Sequence, residues 1–211
     1  MKIYDCFMFF DEEMILDLRL NILSKYVDKF IITEANYMHS GKPKKLLFDI
    51  NKFSKFKDKI IYQVIDKEPL NIEEIYEKDK DEKDTKGQKL ANNSNKREHY
   101  QRDMGLQSKT ILKDADPEDI ILIGDVDEIP NLEKVNFSKI NKKLIFFRQK
   151  MFFYKFNLLH EELNWTGTRA CRKKDFISPQ WLRDTKDKIY PLWRLDIILS
   201  KTKYNSILYI D

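Results

Sequence analysis

The sequence predicts an α/β fold in which helices flank a mostly parallel central sheet. Four short apolar runs have the length of strands: residues 3–10, 29–34, 59–65 and 119–124. They are rich in β-branched and aromatic residues with little polar alternation, which is typical of parallel strands buried on both faces. Helical patterns separate the first run from the second and precede the fourth. This alternation of strand and helix favours parallel pairing.

The first strand leads directly into a helix. Between Glu12 and Tyr26 the apolar residues recur mostly at helical spacing. The second strand ends in the carboxylate Glu34 and is followed by a polar loop over residues 35–43. The third strand follows at residues 59–65.

The segment between the third and fourth strands is highly polar. Lys, Asp, Glu and Asn dominate residues 73–97, which have few apolar side chains to bury, so we expect a charged mobile loop there. A helix is predicted from Glu98 to Leu112, before the fourth strand. An aromatic strand is predicted from Leu144 to Phe153.

Length and composition predict a single domain over residues 1–211. With 42% hydrophobic and 13% aromatic residues the chain can bury a sizeable core. Its 39 Lys and Arg nearly balance 35 Asp and Glu, so the net charge of +4 gives no reason to expect nucleic acid as a partner. Cys6 and Cys171 form no C-x-x-C pair, and the first apolar stretch is too short and too acidic for a membrane anchor. We expect a cytoplasmic protein without an integral membrane segment.

A group of carboxylates follows the fourth strand. Because alternate residues of an extended segment point the same way, Asp125 and Asp127 are placed to converge on a hard cation while Val126 turns toward the core. The carboxyl ends of strands are where α/β folds bind ligands. The alternative is an acidic turn before Pro130, and the short D-x-D pattern alone does not separate the two interpretations.

Several ordered motifs resemble glycosyltransferase family 17, the family of β-1,4-mannosyl-glycoprotein 4-β-N-acetylglucosaminyltransferase. In chain order they are Tyr4-Asp5-Cys6-Phe7 through Leu18-Arg19-Leu20, Val27 to Asn36 with His39-Ser40-Gly41-Lys42-Pro43, Arg97-Glu98, Gln101-Arg102, and Asp119 to Pro130. The resemblance implies a GT-A type nucleotide-sugar-binding fold, a UDP-GlcNAc donor, a glycan acceptor, inversion at the anomeric carbon, and a divalent metal, Mn²⁺ or Mg²⁺. On this chain it implies that Asp125, Val126 and Asp127 form the D-x-D motif, with Asp125 and Asp127 as metal ligands.

The matching segments supply further candidates for the donor site. Arg97 and Arg102 would bring positive charge to the diphosphate. The alternative is that Arg97 lies at the surface and Arg102 makes an ion pair on the face of its helix. His39 and Lys42 belong to a loop at a strand end, where ligand contact and a solvated surface are both open. Glu34 ends its strand where a base or ribose would lie, or it caps a neighbouring helix.

An inverting transfer needs a base for the acceptor hydroxyl, and an Asp or Glu can serve. Glu128, Glu161 and Glu162 are the candidates, and the sequence does not choose among them. Trp165 is a candidate for packing against the acceptor sugar, although core packing is the commoner use of tryptophan.

The sequence departs from the family at both ends. The family continues into a Gly-Trp-His-Phe-Ser segment that has no counterpart after Tyr209, so we expect a naturally short or C-terminally truncated chain. The animal members begin with a membrane anchor that is not found here, which favours a cytoplasmic bacterial or viral enzyme.

Two other functions stay open. One is a catalytically weak or inactive nucleotide-sugar or carbohydrate-binding module. The other is a nucleotidyltransferase, which usually carries a Gly-rich phosphate loop, whereas Tyr4 to Glu13 contains no glycine.

Overall fold

The computed structural model describes residues 1–76, 79, 85–107, 111–154, 157–188, 190–191 and 193–211. Its strands are β1 (Ile3–Met8), β2 (Lys29–Ala35), β3 (Ile60–Ile65), β4 (Ile120–Ile123), β5 (Leu144–Phe152), β6 (Leu159–Arg172) and β7 (Ile207–Ile210). Its α-helices are α1 (Glu13–Leu23), α2 (Thr85–Gln107), α3 (Pro179–Asp184) and α4 (Asp196–Leu199). Short 3₁₀ segments lie at Ile50–Lys59, Phe137–Lys139 and Lys173–Asp175.

The strands form one sheet of seven, in the order β3-β2-β1-β4-β6-β5-β7. β1 pairs in parallel with both β2 and β4, and β2–β3 and β5–β7 are also parallel. β6 runs antiparallel to β4 and to β5. The predicted α/β class with a mostly parallel sheet is therefore confirmed, and the arrangement is compatible with the GT-A type.

The two faces of the sheet are covered by different helices. On one face, Phe7 packs in a core cluster with Leu16 and Leu20 of α1. On the other face, Cys6 packs with a second cluster that includes Trp181 of α3. The central strands are consequently buried on both faces, which explains why β4 is apolar at every position from Ile120 to Ile123.

The long helix begins earlier than the sequence predicts. The predicted mobile loop at about 73–97 is wrong for residues 85–97, because α2 already begins at Thr85. Polar contacts hold this part of α2: the buried Asn93 amide accepts from the Glu73 N–H and donates to the Glu73 carbonyl, both at 2.8 Å. Lys96 also pairs with the Glu73 carboxylate at 2.7 Å. The spacing of apolar residues does not report hydrogen bonds of this kind, so the first half of the helix was not predicted. The rest of the predicted loop, residues 77–78 and 80–84, lies outside the described residues.

The other strand predictions agree with the structure to within a few residues, and two strands were not predicted. β6 was missed because its first half, residues 159–165, is exposed and mixes apolar with polar residues, so it has no buried apolar run. The short strand β7 was missed as well. No helix in the described ranges is both long and apolar enough to cross a membrane.

Candidate active site

A cleft of about 720 Å³ opens at the carboxyl edge of the sheet. Its walls come from the end of β1, the loop after β2, α2, and the turn after β4. The lining residues are Met8, Phe9, Phe10, Glu12, Ile15, Tyr37, Met38, His39, Lys44, Gln101, Asp125, Val126, Asp127, Phe152 and Tyr154. The cleft therefore lies where ligands bind in α/β folds and includes the predicted D-x-D segment.

The acidic segment after β4 forms a tight turn. The Glu128 N–H donates to the Asp125 carbonyl at 3.0 Å, and the Ile129 N–H donates to the Asp127 carbonyl at 3.1 Å. Val126 is buried in the core cluster next to α1, as the alternation predicts. The Asp127 side chain is exposed and lines the cleft. One carboxylate is thus presented to the cleft at the tip of a well-anchored turn.

Asp125 is held by two arginines. Its Oδ1 accepts from Nη2 of Arg102 at 3.2 Å, and its Oδ2 accepts from Nη2 of Arg183 at 2.8 Å. Asp127 makes no ion pair with any described residue. The two carboxylates of the D-x-D segment therefore differ, because Asp125 is already neutralised by the protein while Asp127 faces the cleft unpaired.

Glu128 is a buried anchor of the same turn. Arg183 forks across its carboxylate, with Nη1–Oε2 at 2.7 Å and Nη2–Oε1 at 2.8 Å. Oε1 also accepts from the Trp165 indole at 2.8 Å, and Oε2 accepts from the Asp125 N–H at 2.9 Å. With both oxygens engaged away from the cleft, the position of Glu128 favours a structural role over the predicted base role. Trp165 is held by the same contact and is not a cleft-lining residue.

The pKa values of Asp127 and Arg183 are both raised, which favours the neutral form of the aspartate and the charged form of the arginine. Desolvation, and then the neighbouring Glu128 charge, raise the pKa of the Asp127 carboxyl above its ordinary value. Burial acts to lower the pKa of the Arg183 guanidinium, but its hydrogen bonds to Glu128 and the charges of Glu128 and Asp125 raise it overall. Arg183 is therefore a permanent cation, while Asp127 is a carboxyl that protonates more readily than an isolated aspartate.

Arg19 of α1 supports the turn from the core side. It is fully buried and pairs with the equally buried Asp5, with Nη2–Oδ1 at 2.7 Å and Nε–Oδ2 at 2.9 Å. Its Nη1 donates to the carbonyls of Asp125 and Glu128, each at 2.9 Å. Arg19 thus fixes the backbone of the turn, although it lies more than 100 residues away in the sequence. Sequence analysis assigned Arg19 no role beyond its place in a matching motif.

Glu34 does not line the cleft. Its carboxylate accepts from Lys44, from the Tyr62 hydroxyl at 2.8 Å, and from the N–H groups of Leu47 and Phe48 at 2.8 and 3.1 Å. All of these partners belong to the loop after β2 or to β3. The Glu34 carboxylate therefore holds that loop against β3, in place of the expected contact with a base or ribose.

The two predicted arginines are also occupied by the protein. Arg97 donates to Glu68 at 2.6 Å and to the His39 carbonyl at 3.2 Å, so it supports the loop after β2 and does not line the cleft. Arg102 donates to Gln180 at 2.6 Å in addition to Asp125. The alternative of a helix-face ion pair fits Arg102, which pairs with Glu98 four residues before it at 2.8 Å, whereas Arg97 is buried and does not lie at the surface.

The loop after β2 contributes a lysine other than the predicted one. His39 lines the cleft, as expected, with Nε2 at 3.4 Å from Oε1 of Gln101. Lys42 is exposed and is not among the lining residues, whereas Lys44, two residues on, is. The matching motif covers residues 39–43, so no sequence signal pointed to Lys44.

The remaining predicted carboxylates lie outside the cleft. Glu161 and Glu162 are exposed in the outer half of β6 and are not lining residues. Glu12, which was not predicted, does line the cleft, and its Oε2 accepts from the Phe10 N–H at 2.9 Å. The cleft carboxylates are therefore Glu12, Asp125 and Asp127.

The carboxylates of the acidic turn determine which divalent cation the cleft suits. Within the described residues no group of three or more His, Cys, Asp or Glu side chains could hold a metal ion. An unpaired Asp127 beside Asp125 does fit a cation of the Mg²⁺ type, which uses one or two carboxylates and takes its other ligands from phosphate and water. The residues present thus suit a cation that arrives with a phosphorylated ligand.

Fold and cleft together define an α/β protein with an acidic ligand site at the carboxyl edge of its sheet. The model of Glycosyltransferase family 17 matches residues 1–178, which include every element that lines this cleft. The chain belongs to glycosyltransferase family 17. No match was found among curated proteins or among solved structures. The protein is therefore a glycosyltransferase with a donor and an acceptor substrate.

Proposed function

We propose that this protein is a metal-dependent, inverting glycosyltransferase that transfers N-acetylglucosamine from UDP-GlcNAc to a glycan acceptor. Family membership supports the transfer of a sugar. The observation that carries the finer proposal is Asp127, an unpaired carboxylate that faces a cleft of about 720 Å³ at the carboxyl edge of the sheet. A cleft of this volume is in the range of small-molecule sites.

The D-x-D turn is proposed to hold the donor diphosphate through a cation. Asp127 is the direct ligand, since Asp125 is already paired with Arg102 and Arg183. Mn²⁺ or Mg²⁺, when bound, supplies positive charge to the diphosphate leaving group. The protein fixes the position of Asp127 beforehand through the buried contacts of Arg19, so little reorganisation is needed when the donor binds.

The other cleft residues suit a nucleotide sugar. Tyr37, Phe10 and Phe152 supply aromatic surface for a base or a sugar face. His39 supplies a donor for phosphate oxygens, and Lys44 lines the cleft with its ammonium paired to the buried Glu34 carboxylate. The combination of aromatic surface, a hydrogen-bond donor and one free carboxylate is what a diphosphate sugar with its cation requires.

We place the base for the acceptor hydroxyl on Glu12. It is the cleft carboxylate outside the D-x-D segment, and its Oε1 accepts no hydrogen bond from a described residue. Glu128 is buried with both oxygens engaged, and Glu161 and Glu162 lie outside the cleft. A base must reach the proton that it removes, and Glu12 meets this condition best.

A donor panel tests the proposal. UDP-GlcNAc, other UDP-sugars and GDP-sugars are incubated with glycan acceptors in Mn²⁺ or in EDTA, and nucleoside diphosphate release is measured. We expect release from UDP-GlcNAc in Mn²⁺ alone, a loss of at least about 100-fold in Asp127→Asn, and little change in Asp17→Asn, whose side chain is exposed on α1.

The same panel separates the other functions. Glu12→Gln is expected to lower kcat with little effect on donor KM, because a base acts in the transition state. Donor binding without any diphosphate release would identify a binding module instead. Release of pyrophosphate from a nucleoside triphosphate and a sugar phosphate would identify a nucleotidyltransferase.

A further inference from the structure

Arg183 lies where α3 meets the acidic turn. Its Nη1 donates to Oε2 of Glu128 at 2.7 Å and to the Gly167 carbonyl at 3.0 Å, while its Nη2 donates to Oδ2 of Asp125 and Oε1 of Glu128, each at 2.8 Å. The side chain is only 15% exposed. One guanidinium therefore joins two carboxylates of the turn and a carbonyl of β6, and it does so from beyond the segment that the family model matches.

The helix that carries Arg183 is itself fixed in place. Trp181 and Leu182 are buried, and the Ser178 hydroxyl caps the helix by accepting from the Trp181 N–H at 3.2 Å. Arg169 of β6 donates to the carbonyls of Leu182, Arg183 and Thr185. The guanidinium of Arg183 thus has a defined position and cannot simply swing away from the turn.

The charges of the turn show what this contact does. Asp125, Asp127 and Glu128 place three negative charges within four residues, and an unopposed group of this kind attracts any divalent cation. Arg183 pairs with both Asp125 and Glu128, Arg102 adds a second positive charge at Asp125, and Asp127 has no ion-pair partner among the described residues. A cation approaching from solvent therefore meets one available carboxylate with a fixed positive charge behind it, which gives weak binding.

We propose that Arg183 is a positioning residue that makes cation binding depend on the nucleotide. It holds Asp125 so that Asp127 alone is offered to the cation, and it keeps the affinity for a free cation low until a diphosphate supplies the remaining ligands. This inference rests on the proposed function and assigns to Arg183 the order in which the two ligands bind.

The test measures Mn²⁺ binding with and without UDP, by electron paramagnetic resonance of free Mn²⁺. In the wild-type protein we expect weak Mn²⁺ binding that UDP strengthens at least about tenfold. In Arg183→Met, Asp125 and Glu128 lose the cation that they share, and Asp125 keeps only Arg102 as an ion-pair partner, so Mn²⁺ alone should bind at least about tenfold more tightly, and UDP should add less. A mutation that only loosened the fold would weaken Mn²⁺ binding.

Matched variants complete the test. Arg172→Met removes an arginine of β6 that is 13% exposed and donates to the carbonyls of Phe137 and Ile140, away from the turn's carboxylates, and its Mn²⁺ affinity should equal that of the wild type. Arg183→Met with Asp125→Asn should lose the gain. If Arg183→Met does not fold, Arg183→Gln, whose amide can still donate to Glu128, should show the same rise.

Unchanged or weaker binding of Mn²⁺ alone in the folded Arg183 variant overturns the inference. If the wild-type protein binds no UDP at all, the proposed function fails instead. The two failures are distinguishable because the measurement on Mn²⁺ alone requires no nucleotide.

Discussion

Breaking the buried ion pair between Arg19 and Asp5 should cost a large part of the stability and disturb the geometry of the acidic turn. The side chains of both residues are 0% exposed, and Arg19 provides both described partners of the Asp5 carboxylate. Arg19→Met keeps most of the side-chain volume but leaves Asp5 charged and unpaired. It also removes the donor to the carbonyls of Asp125 and Glu128.

The magnitude follows from the burial. Removing one partner of a buried pair costs about 3–5 kcal/mol, against a total of about 5–15 kcal/mol for a typical domain. For a chain of this size the loss corresponds to a decrease of about 6–20 °C in Tm. Lys52→Met is the control, because the Lys52–Glu13 pair on the surface of α1 is 51% exposed on both sides and is worth at most about 1 kcal/mol.

The assay is urea unfolding followed by circular dichroism, with Arg19→Met, Lys52→Met and the double variant Asp5→Leu with Arg19→Met. The double variant removes the stranded charge as well and should recover at least about half of the loss. A loss below about 1 kcal/mol in Arg19→Met, or a double variant no more stable than the single one, would refute the reasoning.

Three further predictions concern the loop and the cleft. Gly41→Ala should lower stability by about 1 kcal/mol or more in thermal unfolding, because Gly41 has φ +85° and a Cβ would lie 2.7 Å from the Arg97 guanidinium; Gly87→Ala in α2, with open space around it, should raise stability by about 0.5–1 kcal/mol. Lys44→Met removes the cation from the buried Glu34 carboxylate and should lower stability by about 1.5–3 kcal/mol in urea unfolding, with unchanged stability counting against the role of Glu34 in holding the loop. Because the pKa of Asp127 is raised, Mn²⁺-dependent UDP affinity should fall with decreasing pH at a pH above the ordinary titration of aspartate near about 3.9, and a loss only below that pH would contradict the shift.

The strands from β3 to β4 could be predicted from the sequence because their signal is local. β1, β2 and β4 are short, mostly apolar runs buried on both faces, and β3, at the edge of the sheet, is a short β-branched run. The first half of α2 was missed because Asn93 and Lys96 stabilise it through hydrogen bonds to Glu73 instead of an apolar face. β6 was missed because its first half is exposed and mixes apolar with polar residues.

The site was predictable at the D-x-D segment and less so around it. Asp125 and Asp127 follow a strand directly, so the fold alone carries them to the sheet edge. Arg183 lies 58 residues from Asp125 in sequence, and Arg19 lies 106 residues from it on the other side. Contacts of this range depend on how the helices pack against the sheet, and no local pattern reports them.

For two residues, the position in the sequence predicted contacts that the side chain does not make, because the direction of a side chain decides what it touches. Glu34 ends a strand at the correct edge, but its carboxylate turns to Lys44, Tyr62 and the following backbone. Lys42 lies in the correct loop, while Lys44 reaches the cleft. A strand end or a loop therefore predicts the neighbourhood of a site better than it predicts the individual contacts.

The most direct test of the account is a calorimetric titration of UDP into the protein with Mn²⁺, with EDTA, and with the Asp127→Asn and Asp17→Asn variants. We expect UDP to bind in Mn²⁺, to lose at least about tenfold in affinity in EDTA and in Asp127→Asn, and to bind Asp17→Asn with unchanged affinity. Equal UDP affinity in Mn²⁺ and EDTA, together with full affinity in Asp127→Asn, would contradict the claim that the carboxylate at the tip of this turn holds the donor through a cation.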